Sequence, residues 1–329
     1  SVRFTTAEED ARRRDFTING LFFDPVEEKV IDYVGGCDDL RSRVIRAIGD
    51  PAARFGEDSL RLLRAVRFAA RFGFAIDVGT SEAIRGHGPQ LKRISPERVA
   101  EELRIMLTPV TRVSAWRLLW ELGLAPVIFR FLTPGELSTP AGPLLFEQIA
   151  PNEPIPFGLA LAGAVACYRM RVDPRPGDVR EIFASASVNS AARAMRQALK
   201  ISNDESEEMR GTLAGIEPLL RFEFPRVAAL KRFLAEPTSG LSRRLMQALA
   251  AGGFQVERID ALEAEFRELE QTEFAPAPLI DGDALTALGL SPGPIFKRIL
   301  NEVYDAQLEG RVHSREEAVE LALQIAGKT

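Results

Sequence analysis

Histidine and cysteine are scarce: His87, His313, Cys37 and Cys167 are the complete set in 329 residues. Two cysteines so far apart in the chain build no zinc site and give weak grounds for a disulfide, so both read as reduced structural thiols. His87, between Gly86 and Gly88, reads as a turn residue. No apolar run approaches the ~18 residues of a membrane helix, and Ser1-Val2-Arg3-Phe4 lacks a signal-peptide layout. Surplus positive charge is also missing. The net charge is −5, so a polyanion would have to meet a local basic surface rather than a global field. Internal repeats and low-complexity tracts are absent. The expectation is a cytoplasmic, multi-domain chain, since 329 residues exceed one ordinary core.

Arginine, by contrast, is concentrated early. Residues 54–74 read Arg-Phe-Gly-Glu-Asp-Ser-Leu-Arg-Leu-Leu-Arg-Ala-Val-Arg-Phe-Ala-Ala-Arg-Phe-Gly-Phe. The pattern predicts a helix opened by Gly56, with Glu57 and Asp58 at the positive end of its dipole. Gly73 closes it and Phe74 folds back. Leu60, Leu63, Val66, Ala69 and Ala70 supply an apolar face, while Arg61, Arg64, Arg67 and Arg71 step by three, three and four. Each step of three falls about 60° short of a turn, which places Asp58 and Arg67 on nearly opposite sides. Asp58, one turn before Arg61, forms an acceptor/donor pair suited to a nucleobase edge. The stretch reads equally well as a helix with a solvated basic face. Upstream, Arg12-Arg13-Arg14-Asp15 leads into the strand-like run Phe16–Phe23, which carries Asn19. Arginine forks suit phosphate and an Asn amide suits a ribose hydroxyl. The plainer alternative is a basic turn before a strand.

Taken together, these residues resemble the class II tRNA nucleotidyltransferase/poly(A) polymerase family, which includes the bacterial CCA-adding enzymes. The matching elements are Arg13-Arg14-Asp15-Phe16-Thr17-Ile18-Asn19, then Gly49-Asp50-Pro51 with Arg54-Phe55. Glu57-Asp58-x-x-Arg61, the run Leu63–Phe74 and Arg98-x-x-x-Glu102 follow in the family's order. The ending from Pro278 to Ala318 looks like the family's tail.

The resemblance implies nucleotide binding by Arg14, Asn19, Asp58, Arg61, Arg64 and Arg67, with Asp15, Glu57, Arg98 and Glu102 in support. Asp58 and Arg61 would read the base of CTP or ATP, Asn19 would lie near the ribose, and Arg14, Arg64 and Arg67 would hold the triphosphate. Arg98 and Glu102 would orient Asp58 and Arg61, or form an ordinary helical ion pair. The reaction implied is transfer of CMP and AMP to a tRNA 3′ end. Its Mg²⁺ would be held by an Asp-x-Asp motif that precedes the Arg-Arg-Asp motif in the family and does not occur in this sequence, so no catalytic or metal-ligating residue is assigned here and the chain alone is expected to transfer no nucleotide. Asp281-Gly282-Asp283 matches by letter but reads as a helix cap. A narrower A-adding or poly(A) polymerase, or a non-catalytic RNA-binding fragment, are the other readings. Lys200, Arg243/Arg244 and Lys297/Arg298 are candidate tRNA contacts.

The expected architecture is α+β and mostly α: a partial nucleotidyltransferase-type sheet at the N-terminus, then an all-helical neck, body and tail. Boundaries fall at 1–52 (head remnant), 53–130 (neck, reading nucleotide and RNA), 131–235 (body) and 236–329 (tail, contacting tRNA). Strands are expected at Phe16–Phe23, Lys29–Val34 and Val44–Ile48. Helices are expected from Pro96 to Leu107, over Thr111–Leu122 with Trp116, Leu119 and Trp120 inward, and at 158–170, 178–186, 189–200, 204–214, 225–235 and 240–250. Four more follow at Phe254–Leu269, Gly282–Leu288, Gly293–Leu308 and Ser314–Ile325, and Thr133–Pro156 reads as a linker with one short helix.

Overall fold

Arg12 and Arg13 occupy the last turn of a helix, α1 (Ala7–Arg13), not a basic turn. Thr6 and Glu9 close a capping box at its start, and Glu8, Glu9 and Asp10 meet the positive end of the dipole while the arginines meet the negative one. The computed structural model describes residues 6–132, 142–169, 182–221 and 223–327. The expected linker between 133 and 141 and the start of the helix expected at 178–186 lie outside them.

The strand expected over Phe16–Phe23 is broken up. Phe16 makes one bridge to Ala47, Thr17–Asn19 form a 3-10 turn, and only Leu21–Asp24 (β1) extends. Side chains compete with the ladder here. Asp15 accepts from the Phe16 N–H at 3.0 Å and from Asn19 Nδ2 at 2.9 Å, while Thr17 Oγ1 donates to buried Asp39 at 2.7 Å. β1 pairs antiparallel with Lys29–Asp32 (β2), Leu21 opposite Asp32. Asp32 then accepts the N–H groups of Val34, Gly35, Gly36 and Cys37 and starts α2 (Gly36–Ser42). Burial pushes its carboxyl up, but those four donors outweigh it and bring it to about 2. Val44–Ile45 (β3) runs parallel to Ala75–Ile76 (β4).

The helix expected to open at Gly56 is two helices. Pro51–Glu57 (α3) starts at Asp50, whose side chain caps Ala52 and Ala53, and Gly56 lies inside it. Asp58 takes extended geometry (φ −148°) and accepts the Leu60 N–H at 3.0 Å, which ends α3 and begins α4 (Leu60–Phe72). Gly73, at φ +67°, closes α4 and the Phe74 N–H returns to the Ala69 carbonyl at 3.0 Å, as expected. His87 ends a helix, α5 (Val78–His87), rather than sitting in a turn, with Nδ1 2.9 Å from the Ala83 carbonyl. α6 (Pro96–Leu107) and α7 (Arg112–Glu121) follow, the latter stopped by Gly123 at φ +70°.

Two compact units are formed, Ser1–Arg210 and Gly211–Thr329. In the first, α4 buries Leu62, Leu63, Ala65 and Val66 completely and packs on α6 and α7. Each such leucine contributes about 2 kcal/mol. Beyond lie α8 (Ala125–Ile128), α9 (Gly142–Gln148), α10 (Phe157–Arg169) and α11 (Ser185–Leu199), and α12 (Asn203–Ala214) runs through the Arg210/Gly211 boundary. Trp116 is fully buried, stacked on Phe146 at 4.5 Å, and Leu119 is buried beside it, while Trp120 is half-buried. In the second unit α13 (Val227–Ala235), α14 (Ser239–Ala251), α15 (Val256–Leu269), α16 (Gly282–Ala287), α17 (Pro294–Leu308) and α18 (Arg315–Gly327) fall within two residues of the expected spans. α16 to α18 close around Leu285, Ile299, Val303 and Ala322. Asp281 caps α16, accepting the Ala284 N–H at 2.9 Å, as its cap reading requires.

Arg112 carried no signal in the sequence pattern and is fully buried. Its guanidinium donates to the carbonyls of Pro109 and Glu153 at 3.0 and 2.8 Å, and to those of Ile149 and Ala150 just past the C-terminus of α9. A cation suits that end of a helix. Replacing Arg112 with Met strands those carbonyls and should cost about 3 kcal/mol in urea unfolding.

Candidate nucleotide-binding cleft

The break between α3 and α4 opens one wall of a cleft of about 600 Å³. Asp58, Arg61 and Arg64 line it from the break and the first turns of α4, and Arg98 from the start of α6. Arg14, Asp15 and Asn19, from the segment after α1, line it as well. Five of the six expected nucleotide-binding residues therefore share one cavity.

Asp58, Arg61 and Arg64 are held by other partners rather than by each other. Arg98 Nη2 donates to Asp58 Oδ2 at 2.9 Å, leaving both carboxylate oxygens with unused lone-pair directions. Burial pushes the Asp58 carboxyl up, but the Leu60 N–H and the Arg98 guanidinium outweigh it and hold it below its ordinary 3.8. Arg61 is fixed through Nη1 alone, which donates to the Arg54 carbonyl at 2.9 Å and to Glu57 at 2.7 Å. Its Nη2 and Nε remain available among the described residues. The Arg61 hydrogen bond keeps the Glu57 carboxyl below its ordinary range, helped by Arg54. Asp15 receives Arg64 Nε at 2.7 Å and Asn19 Nδ2 at 2.9 Å. That fixes the Asn19 amide, and the two Nη groups of Arg64 take no partner among the described residues. Arg14 pairs with Asp10 at 2.9 Å, donates to the Asn19 carbonyl at 3.1 Å and lies over the Phe22 ring.

Two expected residues are placed elsewhere. Arg67 does not line the cleft; it pairs with Glu102 at 3.2 Å, the side chains 14% and 6% exposed. The slant of the arginine row turns Arg67 toward Glu102 on α6. Glu102 accordingly braces Arg67 and not Asp58 or Arg61, whereas Arg98 does hold Asp58. Burial pushes the Glu102 carboxyl up despite Arg67, and pushes the Arg67 guanidinium down. Arg243, expected as an RNA contact, is likewise tied up by Glu263 at 2.8 Å and by Glu270, and Arg298 pairs with Glu302.

Arg54, in the sequence only one member of a motif, has a structural role that the motif does not indicate. Its guanidinium donates to the carbonyls of Arg12 (2.9 Å) and Arg14 and to Glu57 (2.7 Å). Nothing in its sequence neighbourhood predicts bonds to residues about forty positions away.

Glu102→Ala leaves Arg67 buried without its partner and should cost about 3 kcal/mol in urea unfolding, with the loss in Arg67→Met/Glu102→Leu smaller than the sum of the single changes. Asp58, lowered in the folded state, stays ionised above its ordinary value; its contribution is present there and fades only as pH falls through the folded value. Nucleotide selectivity measured from about pH 8 down to about pH 5 should therefore be flat.

Family models described as "Poly A polymerase head domain" and "Probable RNA and SrmB- binding site of polymerase A" match residues 1–46 and 73–135. A CCA-adding enzyme of Geobacillus thermodenitrificans is 28% identical over 326 residues, covering 97% of this chain and 72% of that enzyme. Poly(A) polymerase I of Escherichia coli O157:H7 is 40% identical over 151 residues, 45% of this chain and 32% of the polymerase. The chain thus spans about a third of that relative. The crystal structure of the Bacillus stearothermophilus CCA-adding enzyme in complex with CTP superposes with a TM-score of 0.65 at 26% identity, covering 99% of this chain and 76% of that one. Motif order, fold and these matches agree: the chain is similar to the class II tRNA nucleotidyltransferase/poly(A) polymerase family along its length.

Proposed function

We propose that the cleft binds CTP and ATP and that the chain serves a tRNA nucleotidyltransferase adding CMP and AMP to tRNA 3′ ends. The observation that carries this reading is the shared cavity of Asp58 and Arg61, with free acceptor and donor positions on the two side chains. Cytosine and adenine each present an exocyclic amino donor beside a ring-nitrogen acceptor. Asp58 accepts from the first and Arg61 donates to the second. Uracil and guanine place a carbonyl oxygen where Asp58 needs a donor, leaving a polar group unpaired, which a site of this kind rejects strongly. Arg64 and Arg14 hold the triphosphate, and Asn19 sets the sugar.

Two-metal transfer of a nucleotidyl group uses Mg²⁺ to neutralise charge on the reacting oxygens. The described residues do not fit such a site. Asp10, Asp15 and Asp58 are each occupied by an arginine, and no group of three or more acidic, histidine or cysteine side chains is placed to hold a metal. No transfer step is therefore assigned to side chains of this chain; their work is to select and orient the nucleotide.

A poly(A) or A-adding activity is the second reading, favoured by the 40% identity to poly(A) polymerase I over 151 residues. Incorporation of C then A, rather than A alone, on tRNA lacking CCA separates the two. Asp58→Ala should weaken CTP and ATP binding by about tenfold or more and erase the preference over UTP and GTP in equilibrium titrations. Unchanged selectivity would reject the base-reading role.

A further inference from the structure

Many arginines of the first unit are neutralised where they stand, among them Arg14, Arg64, Arg46, Arg98, Arg67 and Arg104, by Asp10, Asp15, Asp39, Asp58, Glu102 and Glu205 respectively. A set on α11 is not. Arg193 and Arg196 of α11, and Lys200 just past its end, are exposed, and their side chains have no hydrogen bond or ion pair among the described residues. Steps of three and four put them on one helix face. With Arg210 they line a groove of about 740 Å³ beside α12, and the single carboxylate lining it, Glu207, is already paired with Arg210 at 2.5 Å. Four cations there meet one anion. Gln197 also lines an adjoining groove of about 260 Å³, where Lys92 and Arg130 flank an apolar floor that includes Ile94, Val127 and Phe131. Lys92 and Arg130 are equally without partners among the described residues. The start of α6 connects this groove to the cleft: Pro96 and Val99 line the groove while Arg98 lines the cleft.

We propose that this strip on α11 and its neighbours holds an RNA phosphate backbone and leads the strand toward the cleft, an inference that rests on the tRNA reading above. Clustered cations repel one another, and a chain with 47 Asp and Glu residues has acidic side chains in excess with which to pair them. A run of phosphates removes that repulsion, because each neutralised phosphate releases a counterion. The apolar floor between Lys92 and Arg130 gives a base or ribose a surface to lie on. The helix dipole accounts for Lys200 at the C-terminus of α11 but not for Arg193, two turns earlier. α11 also lies outside residues 73–135, the segment matched by the RNA-binding family model.

The test uses the whole chain, a tRNA transcript lacking its terminal CCA, and the variant Arg193→Gln/Arg196→Gln/Lys200→Gln. All three side chains are exposed, so the fold is retained, as circular dichroism melting verifies. RNA affinity should fall about tenfold or more at low salt, and the slope of log affinity against log salt should flatten by about 2 to 3. The charge-keeping variant Arg193→Lys/Arg196→Lys/Lys200→Arg should keep the parental slope, and CTP binding should be unchanged in both. Unaltered RNA affinity and slope in the glutamine variant would overturn the proposal, as would loss of polyglutamate binding with RNA binding intact, which would assign the strip to an acidic polypeptide. A parent chain that binds RNA through this strip but takes up no CTP would instead refute the nucleotide reading and leave the strip standing.

Discussion

The guanidinium of Arg54 is the interaction on which the cleft depends. It grips the backbone carbonyls of Arg12 and Arg14 on one side and Glu57 on the other, while its own carbonyl receives Arg61. Two segments about forty residues apart are thereby tied at the point where both face the cavity. Charge-assisted bonds to backbone carbonyls are strong and directional. Because they fix main chain rather than a mobile side chain, they set the spacing between the base-reading and phosphate-facing walls.

Around that tie, the cleft meets a conflict between neutralising its charges and keeping them free to bind. The solution is partial engagement. Arg61 spends one nitrogen on Glu57 and Arg54, Arg64 spends Nε on Asp15, and Asp58 receives only one bond per oxygen. Each group is oriented, and each keeps donors or acceptors in reserve. Preorganisation of this kind lowers the entropy cost of ordering long side chains when a ligand arrives. Arg67 is engaged differently: paired with nearly buried Glu102, it ties α4 to α6. In a buried pair the desolvation cost rivals the attraction, so its value lies in fixing the two helices in register.

The same logic distinguishes the surfaces. Arg243 and Arg298, basic by letter, are matched by carboxylates and present little free charge. Arg193, Arg196 and Lys200 are basic in fact. A count of basic residues along the chain cannot separate these cases, because the partners of Arg243 lie on α15 and just past its end, twenty and more residues away.

Local chemistry was legible from the sequence. Apolar spacing and capping residues located the helices of the second unit, Gly73 and Gly123 ended helices where a left-handed residue is needed, and Asp281 was a cap. These features depend on residues within a turn or two of each other, so periodicity records them. The motif order likewise pointed to Asp58, Arg61, Arg64, Arg14 and Asn19, which converge on one cavity. What only the tertiary structure decided were the pairings made across the chain: the division of one expected helix at Asp58, the diversion of Arg67 to Glu102, the clamp of Arg54 and the burial of Arg112. A long, charged side chain can reach any of several partners from the same backbone position. Its choice is set by which carboxylate or carbonyl folding brings within about 3 Å, and that information is distributed over the whole fold rather than written beside the residue.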